Sequence, residues 1–175
     1  MLESARDHGD RRNLYTPEQR SRRDATAWTW VQGVLAPLQF LIFAISLVLV
    51  VNFLANGSGY TAAVTSVLIK TGILYLIMVT GAIWEKVVFG QYLFAPAFFW
   101  EDVVSMLVIL LHSAYVACWL LGWGTMEQQM WLAVAAYTAY VINAFQFLIK
   151  LRSARLEVTG HPSELGAEFS EGVTS

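Results

Sequence analysis

Residues 34–54 read VLAPLQFLIFAISLVLVVNFL, an apolar run without a charged side chain. About 20 such residues, at about 1.5 Å per residue in an α-helix, cross the ~30 Å hydrocarbon core of a bilayer. Three further apolar runs of similar length lie at about Ala62 to Ile83, Val103 to Leu121 and Met130 to Ile149. The sequence therefore predicts an all-α, polytopic membrane protein with four transmembrane helices.

The composition of the whole chain fits a membrane environment. Of its 175 residues 57% are hydrophobic and only 14% are charged, and the charges are concentrated near the two ends. This excludes an ordinary soluble domain and a disordered middle segment. One cysteine, Cys118, cannot form a disulfide within the chain, and no Cys/His cluster has the spacing of a metal site. Nucleic acid is a poor partner for a chain of net charge -2 that is mostly buried in lipid.

The charged ends indicate three parts: a basic N-terminal arm (1–27), a four-helix transmembrane domain (28–155) and a flexible tail (156–175). The arm lacks the apolar segment of a cleavable signal peptide, so we expect it to stay on the protein. Arm, central loop and tail hold ten Lys and Arg residues, whereas residues 55–61 and 122–129 hold none. The positive-inside rule then places both termini and the central loop in the cytoplasm.

Glycine, proline and capping residues predict where helices begin and end. Gly57 and Gly59, and likewise Gly122 and Gly124, predict short turns between antiparallel helices, and Pro37 is expected in the first turn of the first span. Residues 16–23 predict a short helix that lies on the anionic leaflet through its arginines. A solvated topology signal without another role is the alternative for this arm.

Polar side chains inside the spans are the functional candidates, because each costs roughly several kcal/mol unless it is paired or faces a cavity. At helical spacing they form one seam on each helix, which predicts an interior pocket open toward the cytoplasm. The seams are Gln32, Gln39 and Ser46; Lys70, Thr71, Tyr75, Met78, Ala82 and Glu85; Glu101, Ser105, Val108, His112 and Tyr115; and Tyr140, Asn143, Gln146 and Lys150.

Each seam also has a purely structural interpretation. Hydrogen bonds between helices explain most polar seams in membrane bundles. His112 could bond to a neighbouring helix, and Lys70 could be the buried partner of another polar group or snorkel to the surface. Glu85 and Lys86 could form an ion pair at the interface.

The central loop, Phe89 to Trp100, is harder to explain as a simple connection. It contains six aromatic residues and no charge, yet Glu85, Glu101 and Asp102 flank it. Such a segment would not lie in water, so we expect a re-entrant or interfacial lid over a cavity with flat, apolar walls. A cavity of this kind suits a large, planar, lipophilic molecule.

The run WEKVVFGQYLFAPAFFWED, residues 84–102, resembles the central segment of the 3-vinyl bacteriochlorophyllide hydratases of bacteriochlorophyll biosynthesis. The shorter runs YTPE (15–18), RRDAT (22–26), WVQG (30–33) and YVINA (140–144) resemble the same family, so the resemblance covers about residues 14–155. It implies a multi-pass enzyme of the bacterial inner, intracytoplasmic membrane. Its partners would be the lipid bilayer and a chlorophyllide-type substrate, with a second copy or neighbouring pathway enzymes as further contacts.

The resemblance implies a hydro-lyase that adds water to the C3 vinyl group of the macrocycle and gives a 3-(1-hydroxyethyl) group. No cofactor is expected, because water is the co-substrate and the magnesium belongs to the substrate. The reaction needs an acid for the terminal vinyl carbon and a base for the water. We expect Glu85 and Glu101 in these roles, in either order, with Asp102 as a substitute or orienting group.

Holding the macrocycle requires other groups. His112 is the first candidate for the axial ligand of the substrate magnesium, with Asn143, Gln91 or a water molecule as alternatives. Cations for the substrate's propionate and aromatic rings for stacking on the macrocycle complete the predicted site. The cations are Lys86, Lys150, Arg152 and Lys70, and the rings are those of Phe94, Phe98, Phe99 and Trp100.

Two other functions use the same residues. A chlorin carrier or assembly factor would need His112 and the aromatic loop but no carboxylates. A small transporter would pass protons through Glu85, Lys70 and His112, although the sequence has neither an inverted repeat nor a broken helix.

Overall fold

A computed structural model describes residues 14–159 of the chain, with side chains to Arg152. Within this part the chain is all-α. A short helix α1 (Pro17–Ala25) precedes four long ones, α2 (Ala27–Asn56), α3 (Tyr60–Phe89), α4 (Phe99–Leu121) and α5 (Met126–Thr159). The four long helices have the length and apolar composition of membrane spans, which confirms the predicted number and class.

The helices pack as two antiparallel hairpins. α2 packs along α3 and α4 along α5, while α5 also contacts α2. Both hairpin turns use glycines with left-handed backbone, at φ 68° for Gly57, 84° for Gly59, 66° for Gly122 and 79° for Gly124. This conformation costs little only for glycine, so both predicted turns are confirmed.

The helices extend beyond the predicted spans. α2 begins at Ala27, because the Thr26 side chain accepts a hydrogen bond from the Trp28 N–H at 3.4 Å and caps the helix. Pro37 therefore lies inside α2, and its predicted place in the first turn is wrong. Neighbouring helices in a membrane bundle make such an internal proline tolerable. At the other end α5 continues past Arg155 to Thr159, and the rest of the predicted tail lies outside the described residues.

The bundle has polar groups inside and apolar side chains outside, as expected in a lipid solvent. The predicted seam of α4 is buried along its whole length, from Glu101 to Tyr115. On α3 the prediction fails for Tyr75, which is exposed and bonds to Ser113 Oγ at 2.7 Å on the outer surface. The buried face of α3 passes through Leu74 and Thr80 instead, because α3 packs chiefly against α2.

The N-terminal arm forms the predicted helix and packs on the bundle. Thr16 and Gln19 cap α1 reciprocally, with N–H to side-chain oxygen distances of 2.9 and 3.3 Å. The buried Tyr15 ring stacks on Phe89 at 5.7 Å between centroids. The arm is thus more than a solvated topology signal, whereas its position on a lipid leaflet stays a prediction. Residues 1–13 of the arm lie outside the described residues.

Candidate active site

Three carboxylates meet where α3 ends and α4 begins. Glu85 lies near the end of α3, and Glu101 and Asp102 lie in the first turn of α4. All three are buried, with 6%, 8% and 3% of their surface exposed. Acidic groups at the start of a helix are favoured by its dipole, which helps α4 to hold two of them there. The predicted gathering of these carboxylates is therefore present in the structure.

Two of the three carboxyl groups form a pair. The carboxyl groups of Glu85 and Asp102 lie close enough to each other to share a proton. The backbone of the loop holds both: the Phe94 N–H donates to Asp102 Oδ2 at 2.7 Å, and the Ala95 N–H donates to Glu85 Oε2 at 3.3 Å. Consecutive N–H groups of this kind form a concave site for anions. The arrangement needs an unusual backbone, because Phe94 has φ 59° although it is not glycine.

The third carboxylate has a different partner. Lys150 of α5 donates to Glu101 Oε2 at 2.8 Å, and the ammonium also lies 5.2 Å from the centre of the Phe98 ring. Lys150 was predicted to receive the propionate of a substrate. In the structure it forms an ion pair with Glu101, and its role toward a propionate stays a prediction.

The central loop is shorter than its predicted span, because Phe89 ends α3 and Phe99 begins α4. Phe98 is buried and stacks on Phe147 at 5.9 Å between centroids, within a cluster of aromatic side chains. A macrocycle could stack on Phe98 only if this cluster opened. The other predicted stacking residues, Phe94, Phe99 and Trp100, are exposed beside the carboxylates.

His112 and Lys70 form a separate buried pair in the middle of the bundle. The carbonyl of Val108 can only accept a hydrogen bond, so His112 Nδ1, 2.7 Å away, carries the proton. His112 Nε2 then accepts from Lys70 Nζ at 2.9 Å. The lysine ammonium also lies 4.0 Å from the centre of the Tyr140 ring. Both ring nitrogens of His112 are thus engaged, as the structural interpretation of this pair requires.

The other residues that were predicted to bind the substrate have separate partners in different parts of the structure. Lys86 Nζ donates to the Gly90 carbonyl at 2.7 Å, so it does not form the ion pair considered with Glu85. Gln91 is exposed and bonds to the Leu93 carbonyl at 3.2 Å. Asn143 Nδ2 donates to Ser105 Oγ at 2.8 Å inside the bundle. Among the residues that the structure describes, no three His, Cys, Asp or Glu side chains are placed to share a metal ion.

Comparison with known proteins assigns the chain to a family. Residues 15–153 match the family described as 2-vinyl bacteriochlorophyllide hydratase (BCHF). The chain belongs to this hydratase family. The vinyl group numbered 2 in this description is the one numbered 3 above. The resemblance of residues 84–102 is thereby confirmed, as is the enzyme class, a hydro-lyase of bacteriochlorophyll biosynthesis.

Two relatives of this hydratase show how far the similarity extends. The chain is 69% identical to the 2-vinyl bacteriochlorophyllide hydratase of Cereibacter sphaeroides over 148 residues, which are 84% of this chain and 91% of that protein. It is 68% identical to the protein of the same name from Rhodobacter capsulatus over 148 residues, 84% of this chain and 85% of that one. No solved structure matches the chain.

Proposed function

We propose that the chain adds water to the vinyl group of a bacteriochlorophyllide or chlorophyllide at the three buried carboxylates. In this proposal the Glu85–Asp102 pair donates the proton and Glu101 accepts one from water. The observation that supports this division is the difference in surroundings: Glu85 and Asp102 lie against each other, and Glu101 bonds to the Lys150 ammonium at 2.8 Å.

The partners determine which form of each carboxyl group is present. Two buried carboxyl groups this close to each other repel when both are ionised, so in this proposal the Glu85–Asp102 pair holds one acidic proton. An ion pair requires the opposite, because Glu101 must be a carboxylate to bind the Lys150 ammonium. A carboxylate can accept a proton from water, and a carboxylic acid can supply one. The proposal therefore assigns the acid to the Glu85–Asp102 pair and the base to Glu101, an order that the sequence left open.

The reaction then proceeds in two steps. The acid pair transfers its proton to the terminal vinyl carbon, and the π electrons of the vinyl group form the new C–H bond. The positive charge left on the neighbouring carbon is shared with the macrocycle, and the nearby carboxylates stabilise it. The oxygen of water bonds to that carbon while its proton passes to Glu101. The acid pair gives one proton to the substrate, and Glu101 receives one proton from water. Once that proton has passed from Glu101 to the acid pair, the three carboxyl groups are back in their starting state.

The position of the carboxylates also restricts how the macrocycle binds. His112 lies about 16 Å from Glu101 along α4, and Lys70 about 22 Å from Glu85 along α3. Those distances exceed the reach from the central magnesium of a chlorin to a substituent on its rim. We therefore place the ring against Phe94, Phe99 and Trp100, with Gln91 or a water molecule as the nearer axial ligand. Lys86 and Arg152, which are exposed at the same end of the bundle, are the cations for the propionate.

The same end of the bundle faces the cytoplasm in this proposal, and the central loop lies at the membrane interface. The Lys and Arg distribution supports this orientation of a multi-pass protein in the bacterial inner membrane. A lipophilic substrate would then reach the carboxylates from the plane of the bilayer, and water would reach them from the cytoplasmic side.

The test is to incubate purified protein in detergent with chlorophyllide a and no added cofactor. Hydration removes the vinyl group from conjugation, so the long-wavelength absorption band should shift to the blue and chromatography should show the 1-hydroxyethyl product. Pigment that binds but is never converted would contradict the proposal and favour the carrier.

A further inference from the structure

Three amide side chains have a buried oxygen atom without a hydrogen-bond partner within the described part of the chain. These atoms are Gln39 Oε1 on α2, and Asn143 Oδ1 and Gln146 Oε1 on α5. Gln39 is only 3% exposed and Asn143 only 9%. A buried amide without a partner is destabilising, so such groups usually bind water or a ligand.

The packing of α2 on α5 places two of these amides at one level of the bundle. Ser46 bonds to the Tyr137 hydroxyl at 2.6 Å, and the Phe43 and Tyr140 rings are 5.0 Å apart. One further turn along each helix in the same direction leads to Gln39 on α2 and to Asn143 on α5. Both residues belong to the buried faces that these contacts define.

The packing of α4 on α5 places the same level beside the base. Lys150 meets Glu101 at 2.8 Å and Asn143 meets Ser105 at 2.8 Å, so these two contacts between antiparallel helices are one turn apart on α4 and two turns apart on α5. Gln146 lies on α5 between these contacts. Residues one turn apart on a helix have Cβ atoms about 5–6 Å apart. The Asn143 amide, which bonds to Ser105, is thus about one helical turn from Glu101 along α4, and Gln146 is about one turn from both Asn143 and Lys150 along α5.

We propose that Gln39, Asn143 and Gln146 bind the water molecule that the reaction consumes, and hold it for Glu101. This assignment rests on the proposed function, in which Glu101 is the base. Ser105 bonds to one end of the Asn143 amide. The other end has no partner among the described residues, whether that end is the oxygen or the NH2 group. Water satisfies either end because it both donates and accepts, whereas a magnesium ion would suit only the oxygen. Asn143 is therefore assigned to water and not to the substrate magnesium.

A water site defined by amides should discriminate against a larger nucleophile. Methanol added to the assay can attack the same carbon, and its O–H proton passes to the base as that of water does. The product is then a 3-(1-methoxyethyl) group in place of the 3-(1-hydroxyethyl) group. The ratio of ether to alcohol is independent of the total activity, so a general loss of stability does not change it.

We expect Asn143→Ala and Gln39→Ala to raise the ether-to-alcohol ratio about fivefold or more, the effect of losing one hydrogen bond to water. The space left by the shortened side chain also admits the methyl group. The matched control is Asn52→Ala, an exposed amide on α2 that bonds to Asn56 at 2.8 Å, and it should leave the ratio unchanged.

The melting temperature provides a second test if the alanine variants are produced in amounts too low for the assay. Gln39→Leu should lower the melting temperature if the amide binds water, and should raise it if the amide is simply unpaired. An unchanged product ratio in both alanine variants, or a higher melting temperature for Gln39→Leu, would overturn the water site alone. Wild-type protein that forms neither product would overturn the proposed function, and the water site with it.

Discussion

The carboxyl groups of Glu85 and Asp102 meet beside the loop that joins α3 to α4, where the consecutive N–H groups of Phe94 and Ala95 bond to them. The two helices make few other contacts, since α3 packs mainly on α2 and α4 mainly on α5. The pair therefore connects the two helical hairpins at the end where the loop lies. The proton of this pair would then both help to join the hairpins, beside the Lys70–His112 and Tyr75–Ser113 bonds, and be the proton that the proposed reaction transfers to the substrate.

Removal of the acid should abolish turnover without loss of pigment binding. We expect Glu85→Gln and Asp102→Asn each to lower kcat by about 100-fold or more, the usual contribution of a general acid. Absorption spectra in detergent would measure both the bound pigment and the product. Glu127→Gln is the control, because Glu127 is exposed on α5 near the opposite turn. A carrier would tolerate all three substitutions equally.

The Glu101–Lys150 ion pair should show strong coupling between its members. Lys150→Met leaves a mostly buried carboxylate without its cation and should lower the free energy of unfolding by about 3 kcal/mol. The double variant Lys150→Met with Glu101→Gln should recover most of that loss while remaining inactive. Thermal unfolding of the four proteins in the cycle would measure the coupling. Additive losses would show that the pair contributes little.

The left-handed backbone at Phe94 should make glycine preferable to alanine there. We expect Phe94→Gly to be more stable than Phe94→Ala by about 1 kcal/mol, because a Cβ atom is strained at φ 59°. The comparison of two variants removes the effect of the lost ring. At Tyr92, in the same loop but without positive φ, the alanine variant should be the more stable one. If the alanine variant were more stable than the glycine variant at both positions, the backbone at Phe94 would not be strained.

The arm should loosen at alkaline pH through Tyr15. Burial raises the pKa of the Tyr15 hydroxyl above its ordinary value of 10.0, and the Arg23 guanidinium opposes part of that rise. Because the pKa is raised in the folded state, this stabilisation is complete below pH 10.0 and is lost as the pH rises through the raised value. Tyr15→Phe should remove this alkaline loss of melting temperature and keep the stacking on Phe89. Tyr92→Phe, at an exposed position, should behave like the wild type.

His112 should be dispensable for the reaction. Glutamine at this position can still accept a hydrogen bond from Lys70, so we expect His112→Gln to fold and to retain most of its turnover and pigment affinity. Titration of chlorophyllide into the variant would measure the affinity. A large loss of pigment binding would instead support His112 as the magnesium ligand and contradict the placement of the ring at the carboxylates.

The four spans could be predicted because hydropathy is an average over many residues and tolerates errors at individual positions. The helix ends could not, since α2 depends on the single cap at Thr26 and begins well before its apolar run. Spacing also identified the buried face of α4, because a regular helix repeats its buried side every three or four residues. Spacing gave the wrong face at Tyr75, because the helix against which α3 packs decides which of its faces is buried.

The sequence identified the carboxylates of the site, but it did not predict their hydrogen-bond and ion-pair partners. The bonds from Phe94 and Ala95 come from backbone N–H groups, which every residue but proline has, so no residue type signals them. The pairing of Lys150 with Glu101 joins residues far apart in the chain and depends on the register of α4 against α5. Periodicity within one helix contains no information on that register.

The two consecutive N–H groups of Phe94 and Ala95 attach the loop to both acids at once. If the vinyl group reacts at these acids, as we propose, a macrocycle that displaces this segment also breaks those two bonds. Admission of the pigment and release of the acidic proton would then be a single event, with the acid kept from bulk water until a substrate arrives.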